Sequence, residues 1–174
     1  MTTRIAFLRA VNVGRRTVAM SRLVEVFREL GYEGAWTHIN SGNVVFDATG
    51  DGAALERRIE PALEGAFGFE ATTFVRTATE LRKALVVDPF TLDEGDTYFI
   101  TFLKTAPSAA VRKALEGASN DFDTLLVRGR EVHWRMRGRS TETTVKKATW
   151  DRLGEHASTS RNVTMLRKLA DKLP

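Results

Sequence analysis

Hydrophobic positions along this chain alternate between the two-residue period of strands and the three-to-four-residue period of helices. Residues 4–10 carry Ile5 and Phe7 on one face and Ala6 and Leu8 on the other, which predicts a strand covered on both sides. After a polar loop, Met20, Leu23, Val24, Phe27 and Leu30 recur at helical spacing, with Arg22, Glu25, Arg28 and Glu29 facing outward and Gly31 as the stop. Residues 35–40 and 43–47 read as two strands around a tight Ser41-Gly42 turn. Leu55, Ile59, Ala62, Leu63, Ala66 and Phe67 predict a second helix, with Pro61 expected to kink it. Residues 71–76 form a fourth strand. Thr77-Ala78-Thr79-Glu80 has the spacing of a capping box and opens a short helix through Leu85.

An acidic stretch, residues 88–96, then interrupts the pattern. Its carboxylates offer oxygen ligands, but a solvated linker is the simpler reading. Beyond it, residues 97–104 predict a strand, Ser108 caps a helix bearing Val111, Ala114 and Leu115, and residues 122–127 and 131–137 form a hairpin around Arg128-Gly129-Arg130. Two helices follow, one over 145–153 and one carrying Met165, Leu166, Leu169 and Leu173.

The first half thus reads βαββαβ-α and the second βαββαα. The fold class implied is α+β, built of two ferredoxin-like (split βαβ) halves. The subdomains expected are 1–87, the connector 88–96, and 97–174, a ferredoxin-like-derived unit ending in helices. The shared order of elements suggests internal duplication.

Composition narrows the chemistry. The chain of 174 residues has no cysteine, which removes disulfides, thiolate catalysis and Cys-ligated zinc. The short apolar run ending at Arg9 does not suit a signal peptide, and no stretch suits a membrane span, so a reducing cytoplasm and no membrane partner are expected. The net charge of +4 is uneven, with 11 Lys/Arg against 14 Asp/Glu up to residue 96 and 15 against 8 beyond it. Such a surplus serves either an anionic partner or solubility.

Topology gives the candidate site. In a split βαβ sheet, the loop after the first strand and the tip of the following hairpin emerge at one end. That end gathers Arg9, Asn12, Gly14, Arg15, Arg16, Ser41, Gly42 and Asn43 beside the start of the first helix, a combination suited to a phosphate or carboxylate. The opposing reading gives Asn12, Gly14 and Gly42 to turn geometry and the arginines to solvent. Lys104, Ser108, Arg128 and Arg130 form a fainter echo in the second half. Arg161 and Asn162 precede the last helix; Asn162 or Ser160 serves as its cap, and Arg161 is a candidate clamp for the first site. Alternation along 131–137 predicts a basic row, His133, Arg135 and Arg137, which is the feature a nucleic-acid partner would use, although no exposed aromatic accompanies it. His38, His133 and His156 share no metal spacing, and no Walker loop, dinucleotide fingerprint or nucleophile elbow is present, so no metal and no cofactor are expected.

Several segments together resemble a bacterial family known as domain-of-unknown-function family 1697. They are Leu8-Arg9-Ala10-Val11-Asn12-Val13-Gly14-Arg15, the methionine-led helix at Met20, Ser41-Gly42-Asn43-Val44-Val45-Phe46, and Thr159-Ser160-Arg161-Asn162. Ala10 and Arg15 stand where the family pattern has glycines. The resemblance implies two ferredoxin-like halves and no established activity. Three readings remain: a module binding, or an enzyme acting on, a small anionic ligand; a nucleic-acid-binding accessory protein using the basic second half; and a structural or interaction module, whose oligomeric state the sequence leaves open.

Overall fold

The structure is a computed structural model and describes every residue except 15, 155 and 156. The chain divides into two compact units, Met1–Lys83 with Leu169–Pro174, and Ala84–Lys168.

The first unit contains β1 (Thr2–Leu8), α1 (Met20–Glu29), β2 (Trp36–Thr37), β3 (Asn43–Ala48), α2 (Gly52–Phe67) and β4 (Thr73–Thr77), followed by α3 (Ala78–Val87), which runs into the second unit. Its sheet has the order β2-β3-β1-β4 and is antiparallel throughout. Ala6, Leu8, Val44, Phe46 and Val75 on one sheet face pack with Leu23, Val26 and Phe27 of α1 and Leu55, Ile59 and Leu63 of α2. The other face, with Ile5, Phe7, Val45 and Phe74, is buried as well, as expected for strands apolar on both sides. Asp51 caps α2 through the Ala54 amide, and α2 continues unbroken through Pro61. Thr77 and Glu80 exchange the two hydrogen bonds of the predicted capping box at α3.

The second unit contains β5 (Thr97–Leu103), α4 (Ala109–Glu116), β6 (Asp123–Arg128), β7 (Glu131–Met136), a single 3₁₀ turn at Ser140–Glu142, α5 (Lys147–Asp151) and β8 (Ser158–Asn162). Helix α6 (Val163–Ala170) returns the chain to the first unit. The sheet order is β6-β7-β5-β8, the same arrangement as in the first.

One expectation is corrected here. Residues 158–162 form a strand, so the second half runs βαββαβ-α rather than βαββαα. Ser-Thr-Ser-Arg-Asn carries no apolar alternation, yet Thr159 and Arg161 are buried and Ser160 between them is exposed, a two-residue period written in polar residues. The predicted strand over 35–40 also shrinks, to Trp36–Thr37. His38 N–H donates to the Asn43 carbonyl at 3.0 Å, and Ile39 adopts a left-handed φ of +53°, which no strand accommodates.

The correction completes the repeat. Ile5 lies opposite Arg76 and Ile100 opposite Arg161. Leu8 N–H donates to the Gly42 carbonyl and Leu103 N–H to the Arg130 carbonyl, each at 2.9 Å. Both arginines are buried on the edge strand next to the central one, and each donates to the carbonyl of its preceding residue at 2.9 Å.

Candidate functional site

The loop between β1 and α1 and the tip of the β2–β3 hairpin come together. Asn12 holds them: its Nδ2 donates to the Asn40 carbonyl at 3.0 Å, and its Oδ1 accepts from Val18 N–H at 2.8 Å. Asn12 itself has φ +56°, a conformation asparagine tolerates better than most residues. Gly42, at φ +69°, sits against the same loop. A Cβ there would lie 3.2 Å from the Cβ atoms of Leu8 and Val11, so the conformation favours glycine and the space for a side chain is tight. Asn43 is fully buried and donates to the His38 carbonyl at 3.1 Å and to Ser41 Oγ at 2.7 Å.

These bonds give Asn12, Ser41, Gly42 and Asn43 the work of building the junction. The side chains stitch two chain segments together, and what they leave facing outward is a pocket of about 420 Å³. It is lined by Asn12, Gly14, Thr17, Val18, Ala19, Met20 and Asn40. Helix α1 begins on this lining, and its N-cap residue, Ala19, has the extended backbone of a cap but offers no side-chain acceptor to the first-turn amides. Arg9 is half-buried, its amide held by the Thr72 carbonyl at 2.8 Å, and its guanidinium makes no hydrogen bond among the described residues. Arg16 lies over the ring of Phe69, 5.2 Å from its centroid. Arg15 falls outside the described residues.

Arg161 and Asn162 belong to the second unit. Asn162 Oδ1 accepts from Thr164 N–H at 2.8 Å and so caps α6, as expected. Arg161 donates to Thr159 Oγ1 at 2.7 Å, and burial lowers its pKa to about 10.

The predicted basic row on β7 is committed to its surroundings. His133 is fully buried, with Nδ1 2.5 Å from the Tyr98 hydroxyl. Arg135 donates to Thr124 Oγ1 at 2.7 Å and stacks over Phe90. Arg137 pairs with Asp93 and Asp96 of the acidic connector, and Asp88 pairs with Arg167. Three of the connector's four carboxylates therefore serve as ion-pair partners, and among the described residues no group of three or more His, Asp or Glu side chains is placed to hold a metal ion. His156 lies outside the described residues. No helix among them is long and apolar enough to cross a membrane.

One polar node carried no sequence signal. Asp123 is fully buried at the start of β6, and its carboxylate accepts from Trp134 Nε1 at 2.9 Å, Thr143 Oγ1 at 2.8 Å, and Thr144 N–H and Oγ1 at 2.9 and 3.1 Å. Burial opposes its charge, but these donors outweigh that cost and hold its pKa below the usual carboxylate value. Its partners lie 11 to 21 residues further along the chain, beyond any local motif.

The sequence signature of the family described as "Protein of unknown function (DUF1697)" matches residues 1–133. The chain belongs to this family. The matched span contains the β1–α1 loop and the hairpin tip, and it stops before Arg161 and Asn162. Among solved structures, the conserved bacterial protein SP0830 from Streptococcus pneumoniae is similar, with a TM-score of 0.75 over 98% of this chain and 97% of that one at 19% identity. At that identity the likeness concerns the fold alone. No curated protein matches the chain.

Proposed function

We propose that this family member binds a small anionic ligand, a phosphate or carboxylate, in the pocket between the β1–α1 loop and the hairpin tip. The observation that supports this reading most is the start of α1. A ten-residue helix opens on the lining of a 420 Å³ pocket, and no side chain caps its first-turn amides. Those amides and the positive end of the helix dipole attract an anion. The loop is prearranged, because Asn12 holds Val18 N–H and the Asn40 carbonyl in fixed relation.

Thermal denaturation with inorganic phosphate and a panel of phosphorylated and carboxylated metabolites tests the reading. A ligand that binds the native state raises the melting temperature by mass action. Ala19→Asp should abolish the shift, since its carboxylate occupies the amides the ligand would use. A panel with no shift, or a shift equal in the variant, defeats the proposal.

A further inference from the structure

We infer that the second unit carries a binding site of its own for a short-chain carboxylate, in the cavity between the β5–α4 loop and the end of α5. The cavity holds about 230 Å³ and shares with the proposed pocket of the first repeat one wall, the loop directly after the central strand; its other wall is the end of α5 where the first pocket has the hairpin tip. Its lining differs in kind. Lys104 and Arg152 contribute two positive charges, Thr105 and Ser108 contribute hydroxyls, and no Asp or Glu stands among the described lining residues. Arg152 is exposed at the rim of the cavity.

The helix start does not carry this site. Ser108 Oγ already accepts the Val111 amide at 3.3 Å, so the attraction here comes from side-chain charge. Arg130 fixes the backbone of the loop, donating to the Lys104 carbonyl at 3.4 Å.

Size and floor select the ligand. The volume lies below the roughly 300 Å³ at which pockets begin to take drug-sized molecules, so only a small molecule fits. Leu103, Val111 and Leu153, which belong to the unit's apolar cluster, line the cavity's inner side. Cations with an apolar floor match a carboxylate on a short aliphatic chain.

The test is a series of amide NMR titrations of the full chain at low ionic strength with sodium acetate, propionate and butyrate, against sodium chloride. Saturable shifts should appear at residues 104–108 and 152–153 with the carboxylates only. Affinity should rise from acetate to butyrate, by up to roughly fourfold for each methylene buried. Arg152→Gln should weaken binding about tenfold, and Lys104→Met should weaken it as well. Shifts that chloride reproduces, an affinity indifferent to chain length, or binding unchanged in both variants would each overturn the inference. Residues 12–20 report separately on the first pocket, so the two sites can succeed or fail independently.

Discussion

Single residues in this chain hold charge and strain that the surrounding structure must balance. His133 shows the balance for charge. Its Nδ1 meets the Tyr98 hydroxyl at 2.5 Å, and burial, then Arg128, lower its pKa to about 4, which keeps the imidazole neutral near pH 7. The unfolded chain takes up that proton near pH 6.5, so stability contributed by neutral His133 is complete above that pH and drains away as pH falls toward 4. We expect a loss of about 2–3 kcal/mol across this window in urea unfolding, and a flatter profile for His133→Gln. Asp123 is the inverse case, a buried anion held by four neutral donors. Asp123→Ala should cost about 2–3 kcal/mol in the same measurement, because it removes a buried charged acceptor from the half-buried Trp134 side chain and from Thr144. Ile39 stores strain instead, as a β-branched residue at φ +53° with half of its side chain exposed. Ile39→Asn should raise stability by about 1 kcal/mol, since little burial is lost and asparagine accepts this conformation.

At the scale of elements, helix starts and sheet edges are where the two repeats diverge. Ala19→Asp completes the cap that α1 lacks and should stabilise the protein by about 1 kcal/mol while closing the proposed pocket. Chemical denaturation without ligand reads the first effect. Edge strand β4 has its outward amides occupied: Thr73 N–H donates to Glu60 and Val75 N–H to Glu56, each at 2.8 Å. Edge strand β6 is treated alike, with Val127 N–H on Glu116 and Leu125 N–H on Ser119, each at 3.0 Å. In β8, Ser160 lies opposite Thr101 as Val75 lies opposite Ala6, but its amide meets no side-chain acceptor among the described residues. Hydrogen exchange should therefore find Ser160 N–H fast and Val75 N–H protected, with Glu56→Ala abolishing the protection. The elements legible in the sequence were those with apolar periodicity, together with the Ser108 cap and the capping box at Thr77. Strand β8 was hidden because its buried positions are Thr159 and Arg161, which no hydrophobic pattern marks.

Across the whole molecule, the order of elements implied duplication before any residue-level likeness did. The register then supplied what the sequence lacked, an arginine at the same place in each sheet. The juxtaposition of Asn12 with the hairpin tip was legible because split βαβ topology dictates it. The particular bonds that Asn12 and Asn43 make across and within the junction were not, since they depend on side-chain directions the pattern does not encode. The two units also differ in how the chain completes them. Leu169–Pro174 belong to the first unit, where Leu169 is fully buried and Arg82 donates to the carbonyls of Leu173 and Pro174 at 3.0 and 2.8 Å. Removing residues 169–174 should cost about 3 kcal/mol or more, read as an earlier unfolding midpoint of the 1–168 fragment. During translation the amino-terminal sheet must therefore wait: the piece that closes it, residues 169–174, is made only after the strands of the second unit, so the half begun first stays open until the other has been synthesised.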